Sequence, residues 1–496
     1  MYQIYPRSFA DGNGDGVGDL VGMRERIDHL VDLGVDAVWL SPIFVSPMAD
    51  FGYDVADYCR VDPLFGGDEA FGTLLTALHE RGIRVVLDWV PNHSSDQHPW
   101  FVESRSSRSS PKRDWYVWRD PAPDGGPPNN WLAQFLDRPA WTLDEATGQY
   151  YLHLFLDRQP DLDWSNPDVE AAMHETLRHW MERGVDGFRA DVVHLIGKGR
   201  ELRDLPEELR GMTVVAIDEP FTHELLRRIR SVLDASPQQA MMVGEVYLLQ
   251  PGQVVRYLGA GDELQLAFDF RTVHVPWSAD ALRRVIAANQ AEFAEPAWPT
   301  FVLSNHDQPR HRTRFGSNAR ARAAAVMSLT MRATPFLFAG EELGLEDAVI
   351  PAARVVDPDG RDGCRAPLPW TDAPDHGWPA DAWLPFPPDA GRLAADVQRR
   401  DPTSMFSLYR SPLRLRRERA VLRRGSFELL DTGAELIGWR RVHGADATVT
   451  VVNLSDEPVD LPAAAAGVLL ASSVAGRDRL EQQLAPDEAI VVDVAA

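Results

Sequence analysis

The sequence predicts an α/β chain built around a (β/α)8 TIM barrel, with a loop-rich domain inserted after the third strand and a C-terminal antiparallel β-sandwich domain. Three observations predict it. Short apolar runs alternate with helical patterns through most of the chain. A stretch from 94 to about 164, rich in Ser, Pro, Asp and Trp, breaks that alternation. From about Phe427 onward, apolar and polar residues alternate one by one.

The elements follow in order. Tyr2 to Tyr5 reads as a strand, and Leu20 to Leu33 as one helix with Leu20, Met23, Ile27, Leu30 and Leu33 on one face. AVWL at 37–40 is a short buried strand, Phe71 to Leu78 a helix, and RVVLDWV at 84–90 a strand again. After the interruption, Val169 to Met181 is helical. GFRAD at 187–191, MMVGE at 241–245, LQLAFDF at 264–270, TFVLSN at 300–305 and PFLFAG at 335–340 are further strands. Eight strands close a barrel better than they make an open sheet. ELIGWRRV, ATVTVVNL and EAIVVDVAA alternate as strands of an antiparallel sandwich do. The expected domains are 1–94 with 165–424 (barrel), 95–164 (insertion) and 425–496 (sandwich). The Arg-rich stretch at 414–424 reads as the solvated face of the last barrel helix.

Composition narrows the function. The chain has 496 residues, 44% of them apolar, enough for several cores. Its net charge of −24 repels nucleic acid and anionic membranes and suits a neutral ligand. Lys112 and Lys198 are the only lysines. Two cysteines, Cys59 and Cys364, are too few for a disulfide scaffold and read as free thiols in a reducing compartment. The first residues, MYQIYPRSF, lack the charge and apolar core of a secretion signal, and no apolar run is long enough to span a bilayer. The expectation is a cytoplasmic monomer or small homo-oligomer with no nucleic-acid or membrane partner.

Chemistry in a (β/α)8 barrel sits at the carboxyl ends of the strands. Strand three carries DWVPNH, with Asp88, Asn92 and His93. Strand four carries Arg189 and Asp191, strand five ends on Glu245, and strand seven runs into His306 and Asp307. Carboxylates aimed at one mouth suit glycosidic cleavage, which needs an acid to protonate the leaving oxygen. In a retaining enzyme it also needs a carboxylate nucleophile roughly 5 Å away. Crowding keeps one of the pair protonated, and Arg189, two residues before Asp191 on the same strand face, keeps the nucleophile ionised.

These blocks carry a resemblance. DWVPNHSS, GFRADVVHLIGK, VGEVY and SNHDQPR, with QPDLDW at 159–164 and TPFLFAGEELG, resemble the α-amylase family of glycoside hydrolases (family 13), in its α-glucosidase and oligo-1,6-glucosidase branch. The resemblance covers nearly the whole chain. It implies Asp191 as nucleophile, Glu245 as acid/base and Asp307 as the third carboxylate, which holds substrate hydroxyls. It implies Arg189 as partner of the nucleophile, and His93 and His306 as ligands of the −1 sugar. In GYDVADY it implies Tyr53 as the platform under that sugar and Asp54 as the acid gripping its non-reducing end. In DGCRAPLPW it implies Arg365 as the partner of Asp54, with Arg361 as fallback. An acid–arginine pair closing the far side would make a pocket for exo-action on short oligosaccharides.

DGNGDGVGD at 11–19 alternates oxygen side chains at Asp11, Asn13, Asp15 and Asp19, with the Val17 carbonyl between them, as calcium loops do. The resembled family carries a structural Ca2+ there (Mg2+ is the alternative). No organic cofactor is implied, since no GxGxxG or P-loop fingerprint occurs.

Three departures from the family pattern are visible. The chain begins inside its first strand, where relatives carry several earlier residues. Val192 follows the nucleophile, and in the resembled branch Val there goes with acceptance of α-1,6 linkages, but the VHLIGK after it differs from both common patterns. RAPLPW replaces the commoner RTPMQW. Linkage preference is left open. The expected activity is an exo-acting retaining α-glucosidase, with a transglucosylase or sugar isomerase on the same fold as the alternative, and a non-catalytic binding subunit as a remote one.

Overall fold

The structure, a computed structural model, describes residues 1–134, 138–198, 201–207, 220–357 and 359–495. Eight parallel strands alternate with helices along the chain: β1 (Tyr2–Ile4), β2 (Ala37–Leu40), β3 (Arg84–Trp89), β4 (Gly187–Ala190), β5 (Met241–Gly244), β6 (Leu266–Ala267), β7 (Thr300–Val302) and β8 (Thr334–Phe338). This is the (β/α)8 barrel that the alternation predicts. Contacts divide the chain into two compact units, Met1–Val38 with Glu80–Ile83 and Asp269–Ala496, and Trp39–His79 with Arg84–Phe268.

In the second unit the strand order is β6-β5-β4-β3-β2. Gly187 of β4 sits between Val86 of β3 and Met241 of β5, and Val243 pairs with Leu266. All four residues of β4 are buried. Strands covered on both faces need near-continuous apolar runs, which is why these segments read as short blocks rather than as alternation. The helix Pro167–Glu182 follows the insertion. Asn166 caps it by accepting from the Asp168 N–H, proline opens it, and Asp168 and Glu170 lie in its first turn. It buries Val169, Met173, Leu177, Trp180 and Met181 at three- and four-residue spacing. The insertion holds an antiparallel sheet of Trp118–Arg119, Trp141–Asp144 and Gln149–Leu152. Trp131, Trp141, Leu154 and Phe155 pack there with Val192 and Leu195, so the residue after the candidate nucleophile is clamped by the inserted core.

In the first unit β8 lies between β1 and β7. Beyond these strands come β9 (Glu428–Leu430), β10 (Leu436–His443), β11 (Asp446–Asn453), β12 (Val468–Ser472) and β13 (Ala489–Val494), an antiparallel sheet in the order β9-β10-β11-β13-β12. A two-stranded pair, Val459–Asp460 with Gln483–Leu484, completes the sandwich. Val449, Val451, Ile490 and Val492 share its core, as alternation demands. The Arg-rich stretch belongs to the helices Met405–Glu418 and Ala420–Arg424.

Two elements differ from the sequence reading. The helix expected over 20–33 is two helices, Leu20–Glu25 and Ile27–Leu33. The break is at Arg26, whose φ of −108° and ψ of 10° lie outside the helical well and whose guanidinium sits over the Trp370 ring. The sixth strand keeps only Leu266–Ala267 of the seven residues expected. Among the described residues, no helix is long and apolar enough to cross a membrane.

Candidate active site

The candidate residues form two clusters, one in each unit. The cluster in the Trp39–Phe268 unit is built around Arg189 on β4, whose side chain is 2% exposed. Its Nη1 donates to Asp88 Oδ1 at 2.8 Å and to Asp191 Oδ1 at 2.6 Å, and its Nη2 donates to Glu245 Oε2 at 2.5 Å. One guanidinium thus holds three carboxylates from the ends of β3, β4 and β5. Asp88 also accepts from the Trp39 indole and from the Tyr53 hydroxyl, both at 3.1 Å. Asp88, which the sequence reading quoted without a role, is therefore what pins Arg189 and the Tyr53 ring. Burial first, against the pull of Arg189, pushes Asp88 up to about 6.

Burial also pushes Asp191 well above the ordinary carboxylate range. Arg189 opposes that, while Glu245 and Asp88 add to it. Crowding therefore acts on Asp191, the more buried of the two: its side chain is 8% exposed and that of Glu245 12%. Glu245 Oε2 accepts a second bond, from the Val192 N–H at 3.1 Å. Val192 delivers that N–H from a left-handed conformation (φ 33°, ψ 40°) that is costly for a β-branched residue.

His93 is buried beside these groups. Burial and the Lys198 charge hold its imidazole neutral, with a pKa down at about 3, against a bond to the Tyr53 carbonyl that pulls the other way. Gln159 Nε2 lies 3.1 Å from His93 Nε2 and donates to Asp50 Oδ2 at 3.2 Å. Asp50 is the residue the sequence reading missed. Its loop is bent by left-handed Met48 and Phe51 and by Gly52 at φ 109°. A Cβ at Gly52 would meet Pro42 at 3.0 Å.

Asp54 is corrected. Its carboxylate is fully buried and accepts from Ser46 Oγ and the N–H groups of Ala49 and Asp50, all at 2.9 Å. It closes its own loop. The signal was present, since MADFGYD carries acids on both sides of Tyr53 and only Asp50 reaches Gln159 and, through it, His93.

The second cluster lies in the unit that holds β7 and β8. Asp307 Oδ1 accepts from Arg361 Nη1 at 3.1 Å and Arg365 Nη2 at 2.9 Å. His306 Nε2 lies 3.1 Å from Asp307 Oδ2, and Gln3 Nε2 lies 2.8 Å from His306 Nδ1. An amide donor at Nδ1 places the ring proton on Nε2, facing the carboxylate. Arg361 also grips Asp357, and Arg365 donates to the His306 carbonyl. Arg365 is thus a partner of Asp307.

In the 11–19 loop, Asp11 accepts from the N–H groups of Asn13, Gly14 and Gly16. Asn13 accepts from Asp15 N, and Asp15 accepts from Val17 N. Asp19 caps the helix Leu20–Glu25 through Gly22 N and also accepts from Gly12 N. The donors are all oxygens, the chemistry a hard cation takes. Among the described residues, however, no three His, Cys, Asp or Glu side chains are gathered to hold a metal. The carboxylates are turned to the backbone instead.

Comparison with known proteins gives the family. The model of the α-amylase catalytic domain matches residues 3–425, and a domain of unknown function, DUF3459, matches 423–492. A "Probable alpha-glucosidase" of Rhizobium meliloti is 41% identical, over 92% of this chain and 89% of its own length. An "Oligo-1,6-glucosidase" of Parageobacillus thermoglucosidasius is 36% identical, over 92% and 90%. Among solved structures, an α-glucosyl transfer enzyme is 38% identical with a TM-score of 0.92, and a trehalulose synthase 34% with 0.93; each covers 99% of this chain and 98% of its own. The chain belongs to the α-amylase family of glycoside hydrolases, in the branch whose members are named α-glucosidase and oligo-1,6-glucosidase.

Proposed function

We propose that this protein is an exo-acting retaining α-glucosidase that releases terminal α-linked glucose from short oligosaccharides of the maltose or isomaltose type. The observation that carries the reading is the single Arg189 guanidinium holding Asp191 and Glu245 side by side. Two carboxyl groups about 5 Å apart leave no room for a water between them, which favours double displacement over inversion.

In that mechanism Asp191 attacks the anomeric carbon while Glu245 gives its proton to the departing glycosidic oxygen. The glycosyl ester on Asp191 is then cleaved by a water whose proton Glu245 takes back, so both groups return to their starting states. Asp307 serves as the third carboxylate, gripping sugar hydroxyls between Arg361 and Arg365. Tyr53 and His93 line the −1 sugar, and in the other unit His306 stands beside Asp307 as a candidate ligand of sugar hydroxyls. Asp50 takes the part of the acid at its non-reducing end, which the sequence had suggested for Asp54.

A second reading has support of its own. The related structures include a glucosyl transfer enzyme and a trehalulose synthase. Capture of the glycosyl ester by a sugar hydroxyl in place of water would give transfer or isomerisation. Incubation with maltose, isomaltose, sucrose and trehalose, followed by chromatography, separates the readings. Glucose as the main product from maltose or isomaltose supports the glucosidase and settles its linkage. Dominant transfer products or a sucrose isomer would replace it with the second reading.

A further inference from the structure

We propose that Lys198 is a positioning residue for His93, acting through the side-chain amide of Asn92 to select which ring nitrogen carries the proton. The proposal rests on the glucosidase reading of this site and adds to it the device that prepares the sugar-facing histidine.

Lys198 is one of only two lysines in the chain, and its side chain is 8% exposed. Its ammonium lies 3.0 Å from Asp161 Oδ1 and donates to Asn92 Oδ1 at 2.9 Å. Asn92 Nδ2 donates to the same Asp161 oxygen at 3.1 Å. A lysine can only donate and a carboxylate can only accept, so these two neighbours allow the Asn92 amide one of its two orientations. In that orientation Nδ2 also faces His93 Nδ1, at 3.1 Å. Nδ1 must then accept, and the ring proton rests on Nε2.

The opposite side of the ring makes this choice consequential. Gln159 is fixed as well: its Oε1 accepts from Leu156 N at 3.0 Å, and its Nε2 donates to Asp50 and lies 3.1 Å from His93 Nε2. His93 therefore sits between two amide N–H groups, and a neutral imidazole can accept from only one. Lys198 breaks the tie: its ammonium polarises the Asn92 amide and makes that N–H the stronger donor, whereas the Gln159 oxygen accepts from a neutral backbone N–H. Lys198 thus holds the Asn92 N–H against Nδ1 and leaves Nε2–H as a donor for a hydroxyl or other acceptor. Without the ammonium, the Asn92 amide can turn its oxygen to the ring, the proton moves to Nδ1, and Nε2 becomes an acceptor from Gln159. A buried ion pair that only braced the loop would have no such effect on the ring.

The test reads the ring directly. Protein labelled with 15N-histidine, with His93 assigned by the loss of its signals in His93→Gln, should show a pyridine-type Nδ1 and a pyrrole-type Nε2. Lys198→Met should invert or mix that pattern and lower kcat/KM for p-nitrophenyl α-glucoside by about tenfold, mostly through KM, the size of one hydrogen bond. Lys198→Arg keeps a cationic donor and should keep the wild-type pattern. If Lys198→Met does not fold, Asn92→Ala cuts the same relay and should give the same inversion. A protonated Nδ1 in the wild type would overturn the proposal. So would a folded Lys198→Met or Asn92→Ala variant with the wild-type ring pattern. A wild type that cleaves no α-glucoside would overturn the assigned function and leave the ring test standing.

Discussion

Replacing Arg189 by Lys is the most informative perturbation of the carboxylate cluster. The guanidinium reaches Asp88, Asp191 and Glu245 with two terminal nitrogens, and an ammonium offers a single nitrogen on a shorter reach. Asp88, at the floor of the cluster and fully buried, keeps the cation, and Asp191 loses its closest positive charge. With charge centres about 4 Å apart and an effective dielectric of about 20, the attraction is about 4 kcal/mol. At about 6 Å it is about 3 kcal/mol, and the difference corresponds to about one pKa unit. Arg189 is what opposes the upward push on Asp191, so weakening it raises that pKa further. The nucleophile must be ionised to attack, so the acid limb of kcat/KM moves to higher pH, by about one unit. The assay is kcat/KM for p-nitrophenyl α-glucoside from pH 4 to 9, with thermal melts to confirm folding. An acid limb that stays in place in a folded Arg189→Lys variant would refute the reasoning.

Asp54→Ala removes the carboxylate that accepts three hydrogen bonds in the 46–54 loop and should cost about 2–3 kcal/mol of stability, read as a lowered denaturant midpoint; an unchanged midpoint contradicts the loop-closing role. Asp50→Ala, by contrast, should raise KM for disaccharides by about tenfold while leaving kcat nearly unchanged, and a normal KM would remove Asp50 from the binding site. We also propose a structural Ca2+ in the 11–19 loop, on the strength of its alternating oxygen donors, which would have to turn from the backbone N–H groups to the ion; a chelator should then lower the melting temperature and added Ca2+ restore it, and identical melts would discard the ion.

How much of this was legible in sequence depends on the kind of signal. The barrel was, because eight buried strands write themselves as apolar blocks, and β2 is the AVWL at 37–40. The helix break at Arg26 was not, since the apolar spacing runs through it and only the backbone angles depart. The candidates at the ends of β4 and β5 were legible because Arg189 and Asp191 share a strand face, and Arg189 also holds Glu245. Asp50 and Asp54 could not be told apart in sequence for a physical reason: both flank Tyr53 in a loop, and only the fold decides which carboxylate the backbone N–H groups consume. Likewise, DGCRAPLPW places Arg361 and Arg365 four residues apart, and the sequence cannot say that both turn to Asp307. Asp88 was visible as an acid at a strand end, but its service to Arg189, Trp39 and Tyr53 is a tertiary property.

The central claim is that Asp191 is the nucleophile of a double displacement, and nucleophile rescue tests it most directly. Asp191→Ala should lose several orders of magnitude of kcat. With α-glucosyl fluoride and added azide, the anion should take the vacated place and attack the anomeric carbon once, expelling fluoride and giving β-glucosyl azide at a measurable rate. Near-normal hydrolysis by Asp191→Ala without azide, or no β-glucosyl azide from a folded variant, would contradict the account.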